Sequence, residues 1–148
     1  MILLTGAMVA GILPSAQAGL ITFDDILPSS SQAGYLPSSY QGFQWANFGV
    51  VRETYAPGSG FDNGIVSGDA VAMNLGGRDA IVIQADSSFD FLSASFTAAW
   101  RDGLNITIDG YDDDQIIQSD TIVVNTPLSG IRSIGRYRYL CRRLATPA

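Results

Sequence analysis

The chain has 148 residues, 47% of them hydrophobic, enough for one domain of ordinary size whose core needs no covalent stapling. Its 14 acidic residues face 8 arginines, with neither lysine nor histidine, for a net charge of −6. That balance argues against a nucleic-acid partner, because neutralising phosphates takes clustered cations; the absence of histidine excludes Ser-His-Asp and Cys-His nucleophilic sites and histidine metal ligands.

Residues Ile2 to Leu13 form an apolar run, and Ala16-Gln17-Ala18 follows as a small-x-small cleavage pattern. Residues 1–18 therefore read as an export signal peptide, with Gly19 as the mature N-terminus. No basic residue precedes the run, a departure from the usual signal, and a buried N-terminal strand or helix is the alternative. The run is too short to cross a bilayer as a helix, so no spanning segment is expected in the mature chain. Cys141 is the only cysteine, which rules out an intrachain disulfide. The Asn105-Ile106-Thr107 sequon is read as ordinary strand sequence.

In chain order, Leu20 to Phe23 is expected to be a short first strand ending in Asp24-Asp25, and the Ser-, Pro- and Gly-rich stretch Pro28 to Tyr40 a long surface loop. Phe43, Trp45, Phe48 and Val50 mark a second extended segment whose phase shift suggests a bulge. Residues Tyr55 to Gly68 carry four glycines and a proline and are mostly turns, with Ile65-Val66 and Val71 to Met73 as short strand candidates. Asp79 to Gln84 reads as a buried strand.

Phe89 to Ala98 alternates with a period of two and carries large apolar groups on both faces, as a strand inside a two-layer packing requires. Arg101-Asp102-Gly103 supplies a turn, after which Asn105 to Tyr111 resumes the alternation as a neighbouring strand. Gln115 to Asn125, rich in Ile, Val and Thr, makes a late strand or a bent pair. About eight short strands with turn signals between them and no helical period predict an all-β chain, a single antiparallel β-sandwich or jelly roll over residues 19–126; a closed barrel is the alternative. Residues 127–148 break the pattern: from Gly130 onward there are five arginines and no acid. They read either as a basic amphipathic tail on an acidic body or as the product of a shifted reading frame.

Asp109, Asp112, Asp113 and Asp114 put four carboxylates within six residues beside Gly110, a candidate structural Ca²⁺ loop for a hard cation that prefers several oxygens, with Asp24 and Asp25 as a second candidate pair. The spacing does not match the twelve-residue helix-loop-helix pattern, and the bland alternative is a solvated acidic turn. Glu53 is the only glutamate, and no spacing sets it opposite a particular aspartate, so glycoside hydrolysis through paired carboxylates is the alternative to a non-catalytic chain rather than the expectation. Ser59 in Gly58-Ser59-Gly60 lacks both the wider nucleophile-elbow spacing and a base, and is read as a turn serine. Tyr35, Tyr40, Trp45, Tyr55 and Trp100 are candidate platforms for sugar rings; Trp45 and Trp100, in apolar strand contexts, are assigned to the core, and Tyr35 and Tyr40, in the Ser-rich loop, to an exposed polysaccharide-binding face.

The stretches YQGFQWANFGV, SGFDNGIVSGDAVAMN and FDFLSASFTAAWRDGLNITIDGY resemble a class of exported bacterial proteins that end in a PEP-CTERM sorting signal. The resemblance covers about Ile21 to Asn125, its best block being Ser93, Ala98-Ala99-Trp100 and Gly110-Tyr111. It implies a jelly-roll sandwich similar to galactose-binding-like domains, in a surface or extracellular-matrix protein. The closing strand, Pro-Glu-Pro, apolar helix and basic end that such proteins carry are missing after Thr126. The expected function is an exported, non-catalytic binding module for carbohydrate, with a polysaccharide-acting enzyme using aspartates or a purely structural envelope protein as alternatives.

Overall fold

A computed structural model describes residues 19–75, 81–87, 89–112, 114–127, 131–132 and 137–139. The expected signal peptide, Asp79, Asp113, Cys141 and most of the basic tail lie outside the described residues. Strand is the main regular structure, arranged in small antiparallel sheets that do not close, with almost no helix. No helix among the described residues is long and apolar enough to cross a membrane.

Two three-stranded sheets hold the main core. In the first, β4 (Phe48–Arg52) runs between β1 (Ala33–Tyr35) and β5 (Ala70–Asn74), with Val50 opposite Gly34 on one side and Ala72 on the other. In the second, β3 (Phe43–Ala46) runs between β2 (Ser39–Tyr40) and β6 (Val82–Gln84), with Trp45 opposite Ile83. Asn47, at φ 65, takes the chain from one sheet to the other. Asparagine tolerates this left-handed conformation better than most residues. The phase break after Trp45, expected to be a bulge, is thus the point where one extended segment becomes two strands in different sheets.

Both strands feed the same core. Leu27, Leu36, Trp45, Phe48, Val50 and Ala70 are buried together, with Ile21, Phe23, Tyr40, Phe43 and Ile83 packed around them. Trp45 meets Phe48, Phe23 and Phe43 edge-on, with ring centroids 5.0, 5.7 and 6.1 Å apart, the T-shaped geometry that aligns a ring's positive edge with its neighbour's negative face. Its indole N–H donates to the Tyr40 carbonyl at 2.9 Å, so burial leaves no polar atom unpaired. β4 is buried on both faces, and Val50 and Val51 are fully enclosed.

The remaining strands form pairs. β7 (Phe89–Phe91) pairs with β12 (Tyr137–Tyr139), and β8 (Ala94–Ser95) with β11 (Ile131–Arg132). A long ribbon joins β9 (Leu104–Asp112) to β10 (Gln115–Val124), with a register shift between Ile116 and Gln118. Phe89, Phe91, Phe96 and Ile108 gather in a second apolar cluster. An edge contact of 5.0 Å between Phe43 and Phe89 links it to the first.

Several sequence expectations change. Leu20 to Phe23 is not a strand: it runs without regular structure to Phe23, whose φ of 67 turns the chain while Ile21 and Phe23 still pack on the core. The first strands instead lie inside the expected Ser-rich loop, as β1 and β2, because β4 and β3 supply the ladder partners that local sequence does not announce. The Phe89 to Ala98 segment divides at Leu92-Ser93, and its partners are β12 and β11 rather than the strand after the Arg101–Gly103 turn. That next strand, β9, pairs with β10, a single ten-residue strand rather than a bent pair. Ile65-Val66 is not a strand; the short helix α1 (Gly60–Asn63) precedes it.

The two tryptophans also part company: Trp45 is 8% exposed, but Trp100, expected in the core, is 69% exposed. Trp45→Ala is therefore expected to cost about 3–5 kcal/mol, and Trp100→Ala within about 0.5 kcal/mol of nothing. Urea denaturation of both variants measures the difference, and only the Trp45→Ala protein should lose its quencher-protected fluorescence.

Candidate functional site

The site is assembled from the C-terminal end of β4. There Arg52 donates to the Ser31 and Leu27 carbonyls at 3.1 and 2.8 Å and pairs with Asp69, tying the preceding loop and the entry to β5 to one guanidinium. A single 3-10 turn, Glu53–Tyr55, follows and presents the Tyr55 ring. The chain then reaches Ser59, whose hydroxyl accepts from the Phe61 N–H at 3.2 Å and donates to the Ala56 carbonyl at 2.6 Å. This is a helix N-cap, and it accounts for Ser59 as a buried structural residue. Asp62 accepts from the Gly58 N–H at 2.9 Å and closes the turn from the other side.

The capped turn docks on the segment before β9. The Gly60 N–H donates to the Ala99 carbonyl at 2.9 Å, and the Thr97 hydroxyl donates to the Gly60 carbonyl at 2.7 Å. A Cβ at position 60 would overlap the Ala98 carbonyl, so this approach requires glycine. Residues 125–126 close the far side. The Asn63 amide donates to the Thr126 carbonyl at 3.1 Å, and both the N–H and the hydroxyl of Thr126 donate to Asp102 Oδ1, at 2.7 and 2.8 Å. The Asn125 side chain in turn accepts from the Gly103 N–H at 2.9 Å.

This frame holds three aromatic rings. Phe61, half-buried, meets Tyr55 at 5.8 Å and 76° and Trp100 at 5.4 Å and 89°. Tyr55 and Trp100, one on each contact of Phe61, are 46% and 69% exposed. Large exposed rings fixed by polar backbone contacts, with Asp62, Asn63 and Asp102 beside them in sequence and in the hydrogen-bond frame, suit a ligand that offers C–H faces and hydroxyls.

The residues singled out from sequence are distributed differently. Tyr35 is 78% exposed, as expected, but Tyr40 is not a free platform. Its ring lies 6.0 Å from Phe23 and its hydroxyl donates to Asp25 at 2.6 Å. Burial pushes the Tyr40 hydroxyl above its ordinary value, and the bond to Asp25 pushes it the same way. Asp24 accepts from the N–H groups of Asp69 and Ala70 at 2.9 and 3.1 Å, next to Gly68, where φ is 59 and a Cβ would strike the carboxylate. Burial raises its pKa, but these N–H donors, the Thr22 hydroxyl and the Arg52 charge outweigh burial and leave it below its ordinary value. Asp109 accepts from Ser119 across the β9–β10 ribbon at 2.6 Å; Asp112 pairs in register with Gln115, and Asp114 sits in the turn between them. Among the described residues no group of three or more His, Cys, Asp or Glu side chains is placed to hold a metal ion.

The aromatic corner is only half visible in the sequence. Tyr55 and Trp100 stand out as aromatic residues, and the missed signal for exposure is that Trp100 directly precedes the Arg101-Asp102-Gly103 turn, in the irregular stretch between β8 and β9. No family model matches the chain, and no curated protein or solved structure matches it either.

Two outcomes check this geometry. Gly60→Ala should lose about 1–3 kcal/mol by overpacking and expose Phe61, read by chemical denaturation and by loss of the Phe61–Trp100 NMR cross-peaks. The two bonds from Thr126, backbone first and then hydroxyl, hold the Asp102 carboxyl below its ordinary value. A depressed folded value means that this anchoring is complete above the unfolded-state pKa and is lost as pH falls through the folded one. The Thr126 amide should therefore keep its shift down to about pH 4 and move below it, and Asp102→Asn should abolish that step.

Proposed function

We propose that this chain is an exported, non-catalytic β domain of antiparallel sandwich type, surface- or matrix-associated, that binds carbohydrate through the corner formed by Tyr55, Phe61 and Trp100. The observation that carries the proposal is the exposure of Trp100 and Tyr55 on a frame of docked backbone rather than on a free loop. An aromatic face is negative at its centre and attracts the C–H-bearing face of a sugar ring, while water is displaced from both. Export is supported by the apolar run and Ala16-Gln17-Ala18 pattern in residues 1–18 and by the resemblance to exported PEP-CTERM proteins. A binding rather than a catalytic role is supported by the lack of histidine, the single glutamate and the use of the Ser59 hydroxyl in capping.

Affinity electrophoresis through gels containing neutral and acidic polysaccharides tests this, run with calcium and with a chelator because the Asp109 to Asp114 turn is the candidate calcium loop. Retardation by at least one glycan is expected, weakened about tenfold or more by Trp100→Ala and left unchanged by Tyr35→Ala. Unretarded migration in every gel would overturn the carbohydrate reading and favour a purely structural envelope role.

A further inference from the structure

We propose that Asn63 is a self-modifying position: a deamidation site whose reaction permanently opens the contact that holds residue 126 against α1. The proposal does not depend on what the aromatic corner binds. Its first ground is the dipeptide. Asn63-Gly64 is the one asparagine-glycine step in the chain, since Asn47, Asn74, Asn105 and Asn125 precede Phe, Leu, Ile and Thr. Deamidation begins when the following backbone nitrogen attacks the side-chain carbonyl carbon of asparagine. Glycine has no Cβ to shield that nitrogen or to restrict its backbone, so it permits the approach best. Packing accounts for the glycine: position 64 is buried, and a Cβ there would stand 2.6 Å from Thr97 Oγ1 and 2.8 Å from the Gly60 carbonyl oxygen.

The reaction needs only water, which reaches Asn63 because that residue is exposed. The Gly64 nitrogen bonds to Asn63 Cγ, the Cγ–Nδ2 bond breaks, and the side-chain nitrogen leaves as ammonia with the Gly64 proton. Water then opens the cyclic imide at either carbonyl. One opening leaves aspartate, and the other leaves isoaspartate, with the backbone rerouted through the former side chain.

The second ground is the place of Asn63 in the fold. It is the last residue of α1, a helix too short to hold itself. Its side-chain amide donates to the Thr126 carbonyl at 3.1 Å, and the Gly64 N–H donates to the Asp62 carbonyl. Leaving nitrogen and attacking nitrogen are thus both engaged in the folded frame, and the reaction proceeds only when the last turn of α1 opens. Neither product can close it again. An ionised carboxylate accepts and cannot donate, so it meets the Thr126 carbonyl as a second acceptor. Isoaspartate also lengthens the backbone where Thr97 and Gly60 leave no room. Asp102 still holds the N–H and hydroxyl of Thr126, so the modified chain keeps one side of this clamp and loses the other.

The test incubates the full chain in mildly alkaline buffer, folded and in urea, with peptide mapping and isoaspartate detection over days. Aspartate and isoaspartate should accumulate at position 63 before any other asparagine, at least about tenfold more slowly in the folded chain than in urea. Asp102→Ala, which frees Thr126 on its other side, should bring the folded rate toward the urea rate. In the ageing wild-type protein, which needs no variant, the Thr126 amide resonance should move in step with conversion at position 63, toward its position in a folded Asn63→Asp chain. No conversion at position 63, or earlier conversion elsewhere in the folded chain, would overturn the site. Equal rates in buffer and urea, or an Asp102→Ala chain that reacts no faster than wild type, would overturn the restraint by the folded frame. A Thr126 resonance unmoved by full conversion would overturn the opening of the contact.

Discussion

The edge-on packing of Trp45 is the contact on which the rest of the chain depends. Trp45 touches Phe48 in the neighbouring sheet, Phe43 on its own strand and Phe23 from the irregular N-terminal segment, and its N–H ties down the Tyr40 carbonyl. One side chain thus joins both three-stranded sheets and the segment that covers them. Phe43 extends the contact to Phe89, and so to the second apolar cluster. In a chain of small sheets with short strands, few ladder bonds hold any one sheet, so stability falls on the side chains that bridge them. The ion pair of Arg52 with Asp69 adds little to this bridging, since half of the Asp69 side chain is exposed. Arg52 matters more for its bonds to the Ser31 and Leu27 carbonyls, which fix a loop that has no strand partner of its own.

The position of the aromatic corner follows from the burial of β4. Because β4 is enclosed on both faces, its end at Arg52 is a fixed point, and the turn that follows starts from a defined place and direction. Ser59 caps α1 there, and α1, at four residues, is too short to be stable as an isolated helix. Its contacts with Ala99, Thr97 and Thr126 hold it instead. Two of those contacts, at Ala99 and Thr126, use backbone carbonyls that a regular sheet would have placed in its ladder. The chain between β8 and β9 is therefore irregular where α1 binds it, and the same irregularity turns Trp100 outward.

This explains how far the sequence can be read. The all-β character, the antiparallel arrangement and the fate of Trp45 are legible, since period-two alternation and turn residues report strands whatever their partners are. Pairing is not. Phe89 to Ala98 reads as one strand beside the next, yet it divides and pairs with segments as distant along the chain as Tyr137–Tyr139, because register depends on which edges are left open by the core. The Ser-rich stretch conceals β1 and β2 for the same reason. Trp100 escapes its expected place because an apolar neighbourhood in sequence, Ala98-Ala99, is not one in space; Ala98 is buried and Trp100 is not. Of the binding face expected at Tyr35 and Tyr40, only Tyr35 is open, since nothing near Tyr40 in sequence signals its bond to Asp25 or its packing on Phe23.

The aspartates show the same separation between local pattern and use. Asp24, a ligand candidate by sequence, turns its carboxylate to the N–H groups of Asp69 and Ala70, and Gly68 is required there because any side chain would displace it. Asp102, by sequence only part of a turn, holds Thr126 by two bonds and through it the far edge of the aromatic corner. Neither role needs a metal. Each uses a carboxylate as an acceptor for backbone N–H groups that the broken sheets leave without a ladder partner. A chain built from many short strands exposes many such groups, and with no lysine, no histidine and few arginines to neutralise it, the acidic surplus becomes the supply of acceptors that closes its turns.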